Sequence, residues 1–222
     1  MIDSVNVIGS GRVGSAVAAR LRERGVAVRA DGAGLVLLCV PDGAIASVAR
    51  SVDPGPWVAH VSGATPLAAL APHERRFSVH PLQTFSRSGD PAQLDGAWAA
   101  VTAETDEAGA VAAWTAETLG LRPFALADQA RTLYHAGAVF ASNYLVTLQR
   151  AAALLFDAAG APPAALEPLM RRTIENGFEL TGPIARGDWA TVAAHRARIA
   201  AELPRLEHLY ETLAGATLAL AT

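Results

Sequence analysis

Short apolar runs alternate with stretches of helical periodicity from the start of the chain to about Leu126, the pattern of an α/β domain with a mostly parallel sheet. Strands are expected at Val5–Ile8, Val26–Ala30, Leu35–Val40, Trp57–Val61, Phe77–Val79, Ala97–Thr102 and Arg122–Leu126. Helices are expected at Val13–Arg24, Ala44–Arg50, Pro66–Leu70 and Glu107–Leu119. From Ala127 onward the pattern changes to long Ala- and Leu-rich stretches with apolar residues at helical spacing. Helices are predicted there at Asp128–Ala159, Pro163–Glu179, Asp188–Ala201 and Leu203–Ala219. Two domains follow, an α/β domain over 1–126 and an all-helical domain over 127–222 for substrate binding and dimerisation. The helical half needs a partner surface for its apolar faces, expected to be the first domain and a second copy of the chain.

One connection is unusually short. Only Asp31-Gly32-Ala33-Gly34 separates the second expected strand from the third, whereas a parallel crossover normally takes a dozen residues or more. No second helix fits. Either Val26–Ala30 is a truncated strand that turns straight back, or it is an extended link rather than a member of the sheet, or Asp31-Gly32 makes a hairpin that inverts the next strand. The truncated parallel strand is preferred, because the motif after Leu35–Val40 needs that strand to run with the first.

Composition narrows the chemistry. All 18 positive charges are arginine, so no lysine can serve as a Schiff base, a P-loop cation or an acid–base group. The 49 alanines point to coding bias as the origin of this absence. A hydrophobic share of 51% against 18% charged residues is ample for a packed core. The net charge of −3 offers no footprint for nucleic acid or an anionic membrane. The lone Cys39 excludes an internal disulfide and a cysteine-based zinc site, and no metal is expected. The opening does not read as a signal sequence, and no run of 18 apolar uncharged residues occurs. Cytoplasmic residence is the expectation.

The expected first strand runs into Gly9-Ser10-Gly11-Arg12-Val13-Gly14 and then a helix, the context that turns a bare glycine pattern into a Rossmann-type dinucleotide fingerprint. Gly9 permits the tight turn, Gly11 lets backbone approach a pyrophosphate, and Gly14 lets helix pack on strand. Arg12 either reaches a phosphate or is simply solvated. Arg29 and Asp31 both stand near the end of the second strand, so NAD and NADP are not separated. Three more segments follow expected strands: Val40-Pro41-Asp42, Ser62-Gly63, and His80-Pro81-Leu82-Gln83-Thr84-Phe85. In a parallel sheet such positions share one carboxyl edge, where ligands bind. Glycine backbone, Asp42, Ser62, His80 and Gln83 are thus expected to line one crevice.

In the helical half, Tyr134-His135 opens an apolar stripe that also carries Ser142-Asn143. At about 100° per residue, His135 and Ser142 are expected about 20° apart on one helix face. Asn143 contacts a ligand or another helix. Farther on, Asp188 reads as a helix N-cap, and Arg186 in Thr181–Gly187 is placed to offer a fork to a carboxylate.

With these elements, the chain resembles a bacterial family of Rossmann-like proteins with a C-terminal helical domain of unknown function. The resemblance runs through Gly9–Gly14, Val40–Asp42, Ser62–Ala64, His80–Phe85, Tyr134–Tyr144 and Leu180–Asp188. That family is similar to the wider group containing 6-phosphogluconate dehydrogenase and pyrroline-5-carboxylate reductase. The resemblance implies NAD(P)-dependent chemistry on small acids in dimers whose helical domains meet. Two departures stand out. The adenosine side lacks its usual second helix, and Phe140 stands where many β-hydroxyacid dehydrogenases place a lysine three residues before the helical asparagine.

The reading that results is an NAD(P)-dependent oxidoreductase acting on a small 2-oxo or imino acid. His80 is the expected proton donor or acceptor, helped by Ser62, because histidine titrates near working pH. Asn143 would orient the substrate, with Gln83, His135, Thr181 and Arg186 binding it. Gly9–Gly14, Arg29, Val40–Asp42 and Ser62-Gly63 would hold the cofactor, NADP or NAD. The rivals are a non-catalytic nucleotide-binding protein with a degenerate adenosine site, and a dimeric scaffold.

Overall fold

The computed structural model describes residues 2–220. Its first unit is built on a seven-stranded sheet in which β1 (Ser4–Ile8), β2 (Ala27–Val28), β3 (Leu35–Leu38), β4 (Trp57–His60), β5 (Arg76–Pro81), β6 (Trp98–Ala103) and β7 (Arg122–Ala125) are ordered β2-β1-β3-β4-β5-β6-β7. Every neighbouring pair is parallel except β5–β6. Helices α1 (Arg12–Glu23), α2 (Asp42–Arg50) and α3 (Asp106–Thr118) complete the α/β layers, and Leu67–Leu70 is a 3-10 turn where a helix was expected.

Strand β3 shows why the sheet needs cover on both faces. Leu35 and Leu37 enter one apolar cluster with Val5, Val17, Leu21 and Phe77. Val36 and Leu38 enter another with Ile45, Val58, Leu67 and Leu70. That is the two-residue alternation of a strand buried on both sides. Each such side chain contributes roughly 1.5–3 kcal/mol by burial.

The truncated-strand expectation holds, and the register explains how. Ala27 and Val28 pair with Ser4 and Val5, the first two residues of β1. Leu35 pairs with the same Val5 from the other side. The chain therefore climbs hardly at all before returning, and Arg29–Gly34 is long enough to pass beneath β1 without a helix.

Packing divides the chain into Met1–Ser142 and Asn143–Thr222. The change of composition at 126/127 does not coincide with this boundary, because the first turns of the long helix pack with the sheet. That helix is a 3-10 turn (Asp128–Ala130), α4 (Arg131–Val139), a π-helical stretch (Phe140–Tyr144) and α5 (Leu145–Ala158). The stretch Asp128–Ala158 meets the length and composition of a membrane span, with a mean hydropathy of 1.2.

The second unit contains α5, α6 (Leu166–Glu175), α7 (Trp189–Glu202) and α8 (Glu207–Leu220). Helix α6 ends before the expected Glu179 because Gly177 and Phe178 both take positive φ. Asp188 caps α7 by accepting from Thr191 N–H at 3.1 Å, as its position suggested. Among the described residues of this unit only Leu166 and Ile199 are buried apolar side chains, while Leu169, Ile174, Phe178, Leu180 and Trp189 are exposed.

Candidate active site

At the sheet's carboxyl edge the chain leaves β1 toward β2 on one side and reaches β3 on the other, so the crevice between β1 and β3 is a topological switch point. The glycines there divide the work. Gly9 has φ +118°, and a Cβ on it would overlap the Cys39 carbonyl. A Cβ on Gly14 would overlap the Gly9 carbonyl. Both are demanded by the fold itself. Gly11 has nothing within 4 Å of where its Cβ would be, leaving open space at the head of α1. Gly11 N-caps that helix, with no side chain capping it and no acid in the first turn. The free N–H groups and the positive end of the helix dipole suit an anion. Ser10 supplies a carbonyl that accepts from Ser15 Oγ, and Arg12 and Val13 open the helix, Arg12 being exposed. A dinucleotide's pyrophosphate fits this cradle.

The other proposed cofactor positions differ. Val40 and Pro41 precede α2, whose first residue is Asp42. Arg29 is not brought to the crevice. Its guanidinium donates to Ser4 Oγ and the Gly32 carbonyl. It lines a cavity of about 600 Å³ with Asp3, Gly34, Trp57, Arg75 and Trp114. Asp3, Gly34, Trp57 and Arg75 stand at the starts of β1, β3, β4 and β5, so this cavity belongs to the opposite edge of the sheet from the glycine loop.

Beyond β4 and β5 the chemistry gathers around His80. Its Nδ1 lies 2.8 Å from the Tyr134 hydroxyl. The His80 ring meets those of Tyr134 and His135 edge-on, at centroid distances of 5.5 and 6.1 Å. Gly63 fills the space beside them: a Cβ there would come within 2.6 Å of His135 Cδ2 and 2.9 Å of His80 Nε2. Burial, then the neighbouring His135 and Arg131, pull His80 down to about 4, against a slight upward pull from Asp42. The ring is therefore neutral at pH 7, which corrects the premise that it titrates near working pH. Burial pushes Tyr134 up.

Beneath this cluster lies Arg131, only 1% exposed. It donates to the Ser62 carbonyl through Nη2 and to Thr102 Oγ1 through Nη1, the latter at 2.8 Å. Its Nε is 3.9 Å from Asp128 Oδ1, an oxygen that also accepts from Leu67 N–H at 3.0 Å. His60 is fully buried and accepts from Ser62 N–H at Nδ1. Burial, then Arg131 and His80, bring it down to about 3 against the Pro66 carbonyl, although Nε2 has no partner in hydrogen-bond geometry.

Two expected helpers are occupied elsewhere. Ser62 Oγ donates to Thr65 Oγ1 and accepts from the N–H groups of Ala64 and Thr65. It shapes its own turn and has no bond to His80. Gln83 is exposed, donates to the Gln93 carbonyl and accepts from Thr84 N–H. His135 does stand beside His80. The helical-wheel relation between His135 and Ser142 lapses, because π geometry begins at Phe140. Asn143, Thr181 and Arg186 belong to the second unit. Asn143 offers its carbonyl to Thr147 Oγ1, Thr181 is exposed, and Arg186 N–H donates to the Gly182 carbonyl.

From the sequence Tyr134 had a place but no role, and Arg131 and His60 had neither. A signal existed for the first two: Arg131, Tyr134 and His135 recur at i, i+3 and i+4, which is one helix face.

Residues 97–217 match the family described as Domain of unknown function (DUF2520). The chain belongs to that family. The matched stretch includes the Arg131–Tyr134–His135 face and lies beyond the glycine loop. No curated protein matches this DUF2520 chain in sequence. Among solved structures, it is similar to a candidate NADP oxidoreductase from Bacteroides fragilis, with TM-score 0.82 and 22% identity over 98% of each chain. A protein from Thermotoga maritima gives TM-score 0.77 and 22% identity over 98% of this chain and 97% of that one. A reductive aminase from Aspergillus terreus, in complex with NADPH and ethyl levulinate, gives TM-score 0.71 and 15% identity over 97% and 92%. The likeness establishes a shared fold, a Rossmann-like sheet followed by a helical region.

Proposed function

We propose that this protein is an NAD(P)-dependent oxidoreductase that reduces or oxidises a small 2-oxo or imino acid. The observation that carries the reading is the open face of Gly11 at the switch point, on the same sheet edge as the His80–Tyr134 pair. The fold shared with an NADPH-bound reductive aminase supports it. A nicotinamide cofactor held by the glycine loop would supply the hydride chemistry, giving hydride to the substrate carbon or taking it from there.

The chain's own part is the proton. In one tautomer Tyr134 donates to Nδ1 and the ring N–H lies on Nε2, beside Gly63. In the other, the ring donates to the phenol, whose hydrogen then points outward. Either way the neutral pair keeps one transferable proton directed away from itself. Asn143, Thr181 and Arg186 remain proposed substrate contacts, with Arg186 suited to a carboxylate.

A homodimer through the helical unit belongs to the same proposal. A unit with so few buried apolar residues, and with Leu169 61% and Phe178 71% exposed, is stabilised by a second copy covering that surface. Sedimentation of wild type against Leu169→Glu tests this; a wild-type monomer at micromolar concentration overturns it.

The functional test is thermal stability with NADH, NADPH and AMP, then a panel of 2-oxo acids and cyclic imines with the reduced cofactor. A ligand at 100 times its Kd adds about 2.7 kcal/mol, so a clear rise in Tm with a dinucleotide is expected, followed by turnover. A second reading, a nucleotide-binding protein without turnover, is favoured by the missing helix after β2. Response to AMP alone, with no oxidation of reduced cofactor, would establish it.

A further inference from the structure

The buried Arg131 has no part in the chemistry above, yet it joins three of the elements around His80. Its two Nη atoms reach the Ser62 carbonyl beyond β4 and Thr102 on β6. Thr102 is itself tied to the Leu126 carbonyl, donating at 2.9 Å. Arg131 also begins α4, the helix that carries Tyr134 and His135. Its carboxylate neighbour, Asp128, is one-third exposed and shared with the Leu67 N–H.

A guanidinium at this depth is costly to desolvate, and a planar fork with two fixed acceptors is what makes the position tolerable. A neutral side chain of similar length would fill the same volume at less cost if packing were the only requirement. Two things depend on the guanidinium. The fork fixes the distance between the Ser62-Gly63 turn and α4, and Gly63 lies against both His80 and His135 with no room for a methyl group. The charge acts on the groups around it. His80 is faced by Tyr134, His135 and Arg131 from α4, by His60 from β4 and by Asp42 from the start of α2. Arg131 and Asp42 are the fixed charges of that set, and they act in opposite directions on His80.

We propose that Arg131 is the positioning residue of this site: its fork holds the Ser62-Gly63 turn and the Tyr134–His135 helix in one frame around His80, and its cation adds to the burial and the His135 ring that oppose a positive charge there. The proposal deepens the oxidoreductase reading and rests on it for its catalytic consequence, but its structural half can be read without cofactor.

The test uses the full chain with Arg131→Gln, Arg131→Lys and Thr102→Val, followed by NMR titration of the histidine rings. Arg131→Gln should move the His80 midpoint upward, because the opposing cation is gone. Arg131→Lys keeps the charge and should leave the midpoint low while losing the two-armed fork. Thr102→Val removes one acceptor at nearly constant volume and should do the same as the lysine variant, which covers the case in which Arg131→Gln fails to fold. With a substrate in hand, the lysine and valine variants should each lose about 100-fold in kcat through misplacement, with little change in cofactor Kd. An Arg131→Gln protein whose His80 midpoint is unmoved overturns the electrostatic role. Lysine and valine variants that lower Tm alone, with kcat unchanged, overturn the positioning role. If wild type binds no dinucleotide, the oxidoreductase reading fails, and the ring titration still decides whether Arg131 controls His80.

Discussion

The Tyr134 hydroxyl sits 2.8 Å from His80 Nδ1, joining the first turns of a long helix to the end of a sheet strand 54 residues earlier in the chain. One partner comes from the α/β half of the sequence and the other from the half that reads as purely helical. The candidate proton-transfer pair exists only because the helix starts on the sheet.

Tyr134→Phe keeps the ring contacts with Phe124 and His80 and removes only the hydroxyl. Turnover should fall about 100-fold, in line with the loss of one acid–base partner, while dinucleotide affinity stays within about twofold. Stopped-flow turnover with fluorescence titration checks this, and undiminished kcat would remove Tyr134 from the mechanism.

Gly11 and Gly14 should separate binding from folding. Gly14→Ala forces a methyl group into the Gly9 carbonyl and should cost about 3 kcal/mol or prevent folding, as overpacking against rigid backbone does. Gly11→Ala meets no protein atom, so Tm should shift little while dinucleotide affinity drops at least about tenfold. Equal losses of Tm in the two variants would contradict the division.

Gly63→Ala places its methyl group between two imidazoles. The rings must separate, at a cost of about 1–3 kcal/mol in stability. The His80 resonances should shift and kcat should fall together. An unperturbed His80 spectrum in a folded variant would show that the rings are looser than the geometry requires.

The two buried histidines give stability a distinct pH dependence. His60 and His80 fall from the ordinary 6.5 to about 3 and about 4 in the folded chain. As pH drops through about 6.5 the unfolded chain takes up these protons and the folded chain does not. Stability is therefore fully present above about pH 7 and declines as pH falls toward 4, by at most about 1.4 kcal/mol per pH unit for each histidine. Urea midpoints at pH 7, 6 and 5, above most carboxylate titration, should fall in wild type and fall about half as steeply in His80→Gln, which keeps His60. Midpoints that stay level in wild type over this range would refute the neutral pair.

The strands, the glycine loop and the sheet-edge position of His80 were legible because they depend on local periodicity and on one topological rule. Arg29 was misplaced for a physical reason. Proximity in sequence to the end of β2 suggested the cofactor edge, but β2 pairs only with the start of β1, so the arginine folds back onto Ser4. Ser62 was located correctly, but hydroxyls prefer their own turn's N–H groups when these are within reach, and that preference is not visible in spacing. Tyr134 and Arg131 escaped because the helical half was read for its apolar stripe, while the polar face of its first turn is what meets the sheet. The break at Phe140–Tyr144 also escaped, since nothing in FASNY marks a π turn by composition.

The six residues Arg29–Gly34 take the place of a whole helix, and Arg29–Gly32 are exposed to water. A dinucleotide cradled at Gly11 would find no helix after β2 to flank its adenine end, because this short segment passes beneath β1 at the other edge of the sheet. On the proposed function, a nicotinamide coenzyme tethered to a dye through its adenine should bind with a Kd within about twofold of the free coenzyme, since no helix stands there to exclude the tether.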